Sequence, residues 1–84
     1  MINEKTNVRE WYIKTYPDDR EMGETLNEET TFYDVFVALD TYEDVYDVIG
    51  GDADSVVRER VFEQLAIIMD TTYDEIYDQW LKCN

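Results

Sequence analysis

Thr31-Phe32-Tyr33-Asp34-Val35-Phe36-Val37-Ala38-Leu39-Asp40 runs directly into Thr41-Tyr42-Glu43-Asp44-Val45-Tyr46-Asp47-Val48-Ile49-Gly50, and the fold is decided in these twenty residues. Phe32, Val35, Phe36 and Leu39 recur at i, i+3, i+4 and i+7, the spacing that places side chains on one face of an α-helix. Tyr42, Val45, Tyr46 and Ile49 repeat it. Thr31 with Asp34, and Thr41 with Asp44, each read as a helix start, in which a hydroxyl caps the first turn and an acid three residues on reaches back. Two short helices in tandem account for both signals. One bent helix from 32 to 49 is the competing reading. Gly50-Gly51 ends the second segment, since glycine accepts the left-handed conformation that closes a helix.

The same stretch carries a charge pattern. Between Arg20 and Arg58 there is no Lys or Arg, while Glu21, Glu24, Glu28, Glu29, Asp34, Asp40, Glu43, Asp44, Asp47, Asp52 and Asp54 all fall inside that gap. On a single helix, Asp40, Glu43, Asp44 and Asp47 would form a continuous acidic stripe with neighbouring Cβ atoms ~5–6 Å apart. Carboxylates so placed spread to about the spacing of phosphates on a nucleic-acid strand, one charge per ~3.4 Å. A solvated helix face ordinarily mixes in Lys and Arg, and this one has none.

Outward from this centre the pattern stays helical. Asn7 with Glu10 caps a helix whose apolar face is Val8, Trp11, Tyr12 and Thr15, and Pro17 stops it. Residues 18–30 read as a polar loop. Ser55 or Asp54 opens the longest helix, with Val57, Val61, Leu65, Ile68 and Met69 as its stripe and Phe62 and Ala66 alongside. Thr72 with Glu75 starts the last helix, whose inner face is Tyr73, Ile76, Tyr77, Trp80 and Leu81. The expected fold is all-α: a compact single domain over residues 1–84 of four to five short helices, with residues 1–6 flexible and a helix-turn-helix-like hairpin at the C-terminal end. Helices this short are stable only through packing of these faces.

Composition bounds the function. The chain has 84 residues, 44% hydrophobic and 14% aromatic, with a formal charge of -14. That aromatic content excludes a disordered acidic tail. The charge exceeds the magnitude of roughly 2–8 that serves solubility in a small domain. It repels nucleic acid and anionic membranes and attracts basic surfaces. There is no His and one cysteine, Cys83, so no internal disulfide and no zinc ligand set. The polar start Met1-Ile2-Asn3-Glu4-Lys5 lacks the apolar segment of a signal peptide, and no apolar run nears the ~20 residues of a membrane span. A cytoplasmic protein without cofactor or metal is expected. Asp52-x-Asp54 has the start of a calcium loop, but Val57 stands where that loop needs glycine. No nucleophile elbow, P-loop or dinucleotide fingerprint is present, and paired-carboxylate hydrolysis needs a cleft that helices this short do not promise. No enzyme is expected.

The last helix exposes Asp74, Glu75 and Asp78 where a DNA reader would carry basic residues, so direct nucleic-acid binding is not expected. Tyr33 lies beside its core stripe and is a candidate interface anchor. Arg60 is placed to pair with Glu63.

Val8-Arg9-Glu10-Trp11-Tyr12, Tyr16-Pro17, Val57-Arg58-Glu59-Arg60-Val61-Phe62-Glu63-Gln64-Leu65-Ala66 and Tyr73-Asp74-Glu75-Ile76-Tyr77-Asp78-Gln79-Trp80-Leu81 resemble segments of small acidic proteins carried by phages and conjugative elements of Gram-positive gut bacteria. The resemblance covers residues 7–81 and implies a role in blocking host defence, as anti-CRISPR and anti-restriction proteins do, several of them by mimicking DNA. The expected partner is a basic nucleic-acid-binding protein, foremost a Cas9-type nuclease. The expected contacts are Asp40, Glu43, Asp44 and Asp47, supported by Glu28, Glu29, Asp34 and Tyr33 and by Asp74, Glu75 and Asp78. Anti-restriction by the same mimicry, or a helical adaptor of a mobile element, are the alternatives.

Overall fold

The computed structural model describes residues 2–82; Met1, Cys83 and Asn84 lie outside them, so the expectations resting on Met1 and Cys83 do too. The described residues are all-helical: α1 (Val8–Thr15), a 3-10 turn (Pro17–Asp19), α2 (Arg20–Thr25), α3 (Phe32–Thr41), α4 (Val45–Ile49), α5 (Ser55–Ile68) and α6 (Tyr73–Lys82). The molecule measures 31 × 25 × 20 Å.

The caps explain most boundaries. The Asn7 side chain accepts from the Glu10 N–H, Asp54 from Val57, and Thr72 from Glu75. At Thr31 the box is reciprocal: its hydroxyl accepts from the Asp34 N–H while the Asp34 carboxylate accepts from the Thr31 N–H at 2.9 Å. Each such cap contributes about 1 kcal/mol by satisfying a donor that the helix leaves orphaned.

Six helices replace the expected four or five, because residues 18–30 are not all loop. Arg20–Thr25 forms α2, whose buried residue is Gly23. A Cβ on Gly23 would lie 2.7 Å from the Ile13 side chain, so the missing side chain is what lets α2 rest on α1. Residues 32–49 are two helices, as the paired start signals implied, but the second start lies elsewhere. Tyr42 turns left-handed (φ 61°), and its N–H and that of Glu43 both donate to the Ala38 carbonyl, which closes α3. Asp44, not Thr41, then caps α4 by accepting from the Tyr46 N–H, while the Thr41 hydroxyl donates back to Val37. Tyr42 consequently leaves the core stripe and is 65% exposed. Gly50 closes α4 as expected, and Gly51 must be glycine, since a Cβ there would strike the Thr25 carbonyl.

One core joins all six helices. Tyr12, Phe32, Leu39, Ile49, Phe62 and Leu65 are its largest fully buried side chains. Around it α1 packs on α2, α3 on α4, α5 on α6, and α3 touches both α5 and α6. Thr15 and Leu81, expected on inner faces, are exposed, and Ile68 and Met69 are half-buried. Asn3–Thr6 form a hydrogen-bonded turn tied to α3, with the Tyr33 N–H donating to Glu4 and the Phe32 N–H to Thr6. No described helix is long and apolar enough to cross a membrane.

Candidate functional site

The fold sorts charge by sign. Of the 21 acidic residues, every one but Asp19 is exposed. The seven cations are treated differently. Arg58, on α5, is 5% exposed and lies over the rings of Trp80, Phe62 and Tyr77 at 4.3, 5.2 and 5.4 Å from their centroids. Its nearest carboxylate is that of exposed Glu59 at 3.7 Å, and its Nε and Nη1 have no hydrogen-bond partner. Burial pushes the Arg58 guanidinium down, but the nearby Tyr73 and Tyr46 hydroxyls outweigh it and hold the group above its ordinary value, charged at every accessible pH.

Arg60 faces the other way. Residues two apart on a helix diverge by ~200°, so Arg60 meets α1 where Arg58 meets α6. It lies 4.1 Å over the Tyr16 ring, donates to the Tyr12 hydroxyl at 2.7 Å and pairs with Asp19 at 3.2 Å. The expected Arg60–Glu63 pair is therefore replaced by a tertiary one across the 3-10 turn. Tyr12 also donates to Asp19. Burial first, and then the Asp19 carboxylate, push the Tyr12 hydroxyl up to about 12.

The remaining cations sit at the two ends of the chain. Lys5, Lys14 and Arg20, all exposed, and half-buried Arg9 belong to the first twenty residues, and exposed Lys82 ends α6. The span from Glu21 to Val57 therefore has no cation of its own, and the next two in sequence are turned toward aromatic rings.

The expected contact residues keep their exposure and lose their common helix. Asp40 lies near the end of α3, Glu43 in the turn, Asp44 at the cap of α4 and Asp47 within it. The break at Tyr42 corrects the single stripe: the four acids straddle a corner. Among the described residues no ion pair involves them. Asp44 has one carboxylate oxygen committed to the Tyr46 N–H, and Asp34 is committed to the Thr31 box. Glu28 and Glu29 are exposed in the turn before α3, near the Asn7 cap, whose amide donates to the Glu28 carbonyl. Tyr33, in the first turn of α3, is 53% exposed. Asp74, Glu75 and Asp78 are exposed on α6, and the fold brings Glu75 to the same cleft as Asp40. No group of three or more metal-ligating side chains is assembled among the described residues.

Sequence reasoning passed over Arg58 as a structural centre. The signal was present: Arg58, Phe62 and Leu65 fall at i, i+4 and i+7, a helix face that a charged residue joins only with partners for it. Comparison with protein-family models, curated proteins and solved structures finds no match to this chain.

Proposed function

We propose that this protein is a non-enzymatic inhibitor of a host defence nuclease, presenting an acidic, DNA-mimicking surface to a basic nucleic-acid-binding site. The target class that fits best is a Cas9-type effector, which reads its short duplex motif with arginines and holds nucleic acid in positively charged channels. One observation carries the reading: twenty acids stand in solvent while Arg58 and Arg60, the first cations after the gap, are folded onto rings. A surface left so unbalanced costs self-repulsion in the free protein, and a basic groove relieves it. Restriction nucleases offer the same kind of groove and are the second target class.

The test is cleavage of target DNA by a panel of Cas9-type and restriction nucleases, with the protein and with its Asp40→Asn, Glu43→Gln, Asp44→Asn, Asp47→Asn variant. Inhibition of one nuclease is expected, and the variant should lose it. Truncating an acid that is paired with a desolvated arginine should cost ~2 kcal/mol or more, part of it from leaving the arginine unpaired. A folded variant that inhibits as well as the parent would remove these four acids from the mechanism. Silence across the whole panel would sink the nuclease reading.

A further inference from the structure

Between α3 and α6 lies an open cleft of about 420 Å³, a size suited to burying part of a ligand. Its floor is apolar, made by Phe36 and Leu39 of α3, Met69 after α5, and Ile76 of α6. Its rim includes two carboxylates from different helices, Asp40 and Glu75. No cation lines it, and neither rim acid is in an ion pair among the described residues. Glu75 is steadied by the Thr71 hydroxyl, which donates to it and also lines the cleft.

This combination selects an occupant. Nucleic acid and anionic lipid carry the same sign of charge as the rim and are repelled by it. A second copy would bring another -14 of charge to the same surface. Both parts are satisfied by a segment with an aliphatic side chain beside a cation, and arginine supplies a fork that two carboxylates can share. We infer that the α3–α6 cleft is a receptor for a basic amphipathic segment of a protein partner, with an apolar side chain on the Phe36–Leu39–Met69–Ile76 floor and an arginine between Asp40 and Glu75. The inference rests on the inhibitor reading for the basic character of the partner. It adds that part of the recognition is apolar, and so survives salt that screens the outer acids.

The probe is a blocked, alanine-based helical peptide carrying Leu and Arg four residues apart, titrated into the isotope-labelled 84-residue chain and followed by amide shifts. A matched peptide replaces Arg by uncharged citrulline. Saturable shifts at Leu39, Thr71, Ile76 and Gln79 are expected. The arginine peptide should bind about two- to fivefold tighter, the range of an ion pair at a partly exposed site. An Asp40→Asn, Glu75→Gln variant should erase that difference while melting as the parent does. Equal binding of the two peptides, or no binding of either, would overturn the inference. Shifts spread over the α3–α4 corner with the cleft residues still would also overturn it, and would leave the acidic-surface reading standing.

Discussion

The surroundings of α5 and the α3–α4 corner treat charge in opposite ways. At α5 two arginines are drawn inward: Arg58 among Trp80, Phe62 and Tyr77, and Arg60 against Tyr16, Tyr12 and Asp19. At the corner Asp40, Glu43, Asp44 and Asp47 face water, with no counter-charge paired to them among the described residues. The inward cations hold helices together, since α5 reaches α6 through one and α1 through the other. Among the described residues the corner acids make one structural side-chain bond, the Asp44 cap. Charge that builds the fold is thus separated from charge available for binding.

That separation is open to three tests of stability. The largest effect belongs to Arg58→Ala. It removes a cation from three ring faces and opens a gap in the α5–α6 packing, and the expected loss is about 3 kcal/mol by chemical denaturation. Arg58→Met sharpens the point. If the cation is what orders the rings, Met recovers only part of that loss. A Met variant as stable as the parent would show that volume alone matters there, as happens when buried ionic groups are replaced by well-packed apolar ones.

The next effect is on alkaline stability. Tyr12 is neutral when protonated, and its folded value of about 12 lies above the ordinary 10. Below pH 10 both states keep the proton and the full stability is present. Between pH 10 and 12 the unfolded chain ionises first, and roughly 2–3 kcal/mol is lost. Denaturation midpoints measured from pH 9 to 12 should fall in the parent and fall less in Tyr12→Phe. Equal slopes would detach Tyr12 from the α1–α5 contact.

The smallest effect is expected at the corner. The four-acid amide variant should change stability by no more than ~0.5 kcal/mol, with a tendency to gain. Like-charge repulsion is relieved, and the asparagine that replaces Asp44 caps α4 as well as the acid does. Asp44→Ala should instead cost about 1 kcal/mol. A thermal melt of both distinguishes them, and a large loss in the amide variant would mean that these acids serve the fold after all.

The caps at Asn7, Thr31 and Thr72 were legible because each is a local device between neighbours, and the start of α5 was narrowed to Ser55 or Asp54, of which Asp54 is the cap. The apolar face of α5 was legible too. The α2 helix was not, because Gly23 leaves no apolar mark where α2 meets α1. The break at Tyr42 was half legible. The paired start signals implied two helices, but only tertiary structure shows a tyrosine in a left-handed position that glycine usually fills. For the candidate site, the composition of the acidic surface could be read from sequence, and its corner geometry could not. The inward turn of Arg60 was missed because pairing arguments look three or four residues along the chain and Tyr12 lies 48 residues away; for Arg58, Phe62 is within that reach but Trp80 is not.

The enclosure of Arg58 also shields the middle of the folded chain from trypsin. That protease cuts after Lys and Arg, and none occurs between Arg20 and Arg58. Arg58 is sealed under rings and Arg60 is held by α1, both within the longest helix. The exposed cations are Lys5, Lys14 and Arg20 in the first twenty residues and Lys82 at the end of α6. Cleavage after Arg58 requires α5 to unwind, so at low protease its rate follows the fraction of molecules that are open. A timed digest then reads the opening equilibrium of α5 from the two bonds after Arg58 and Arg60.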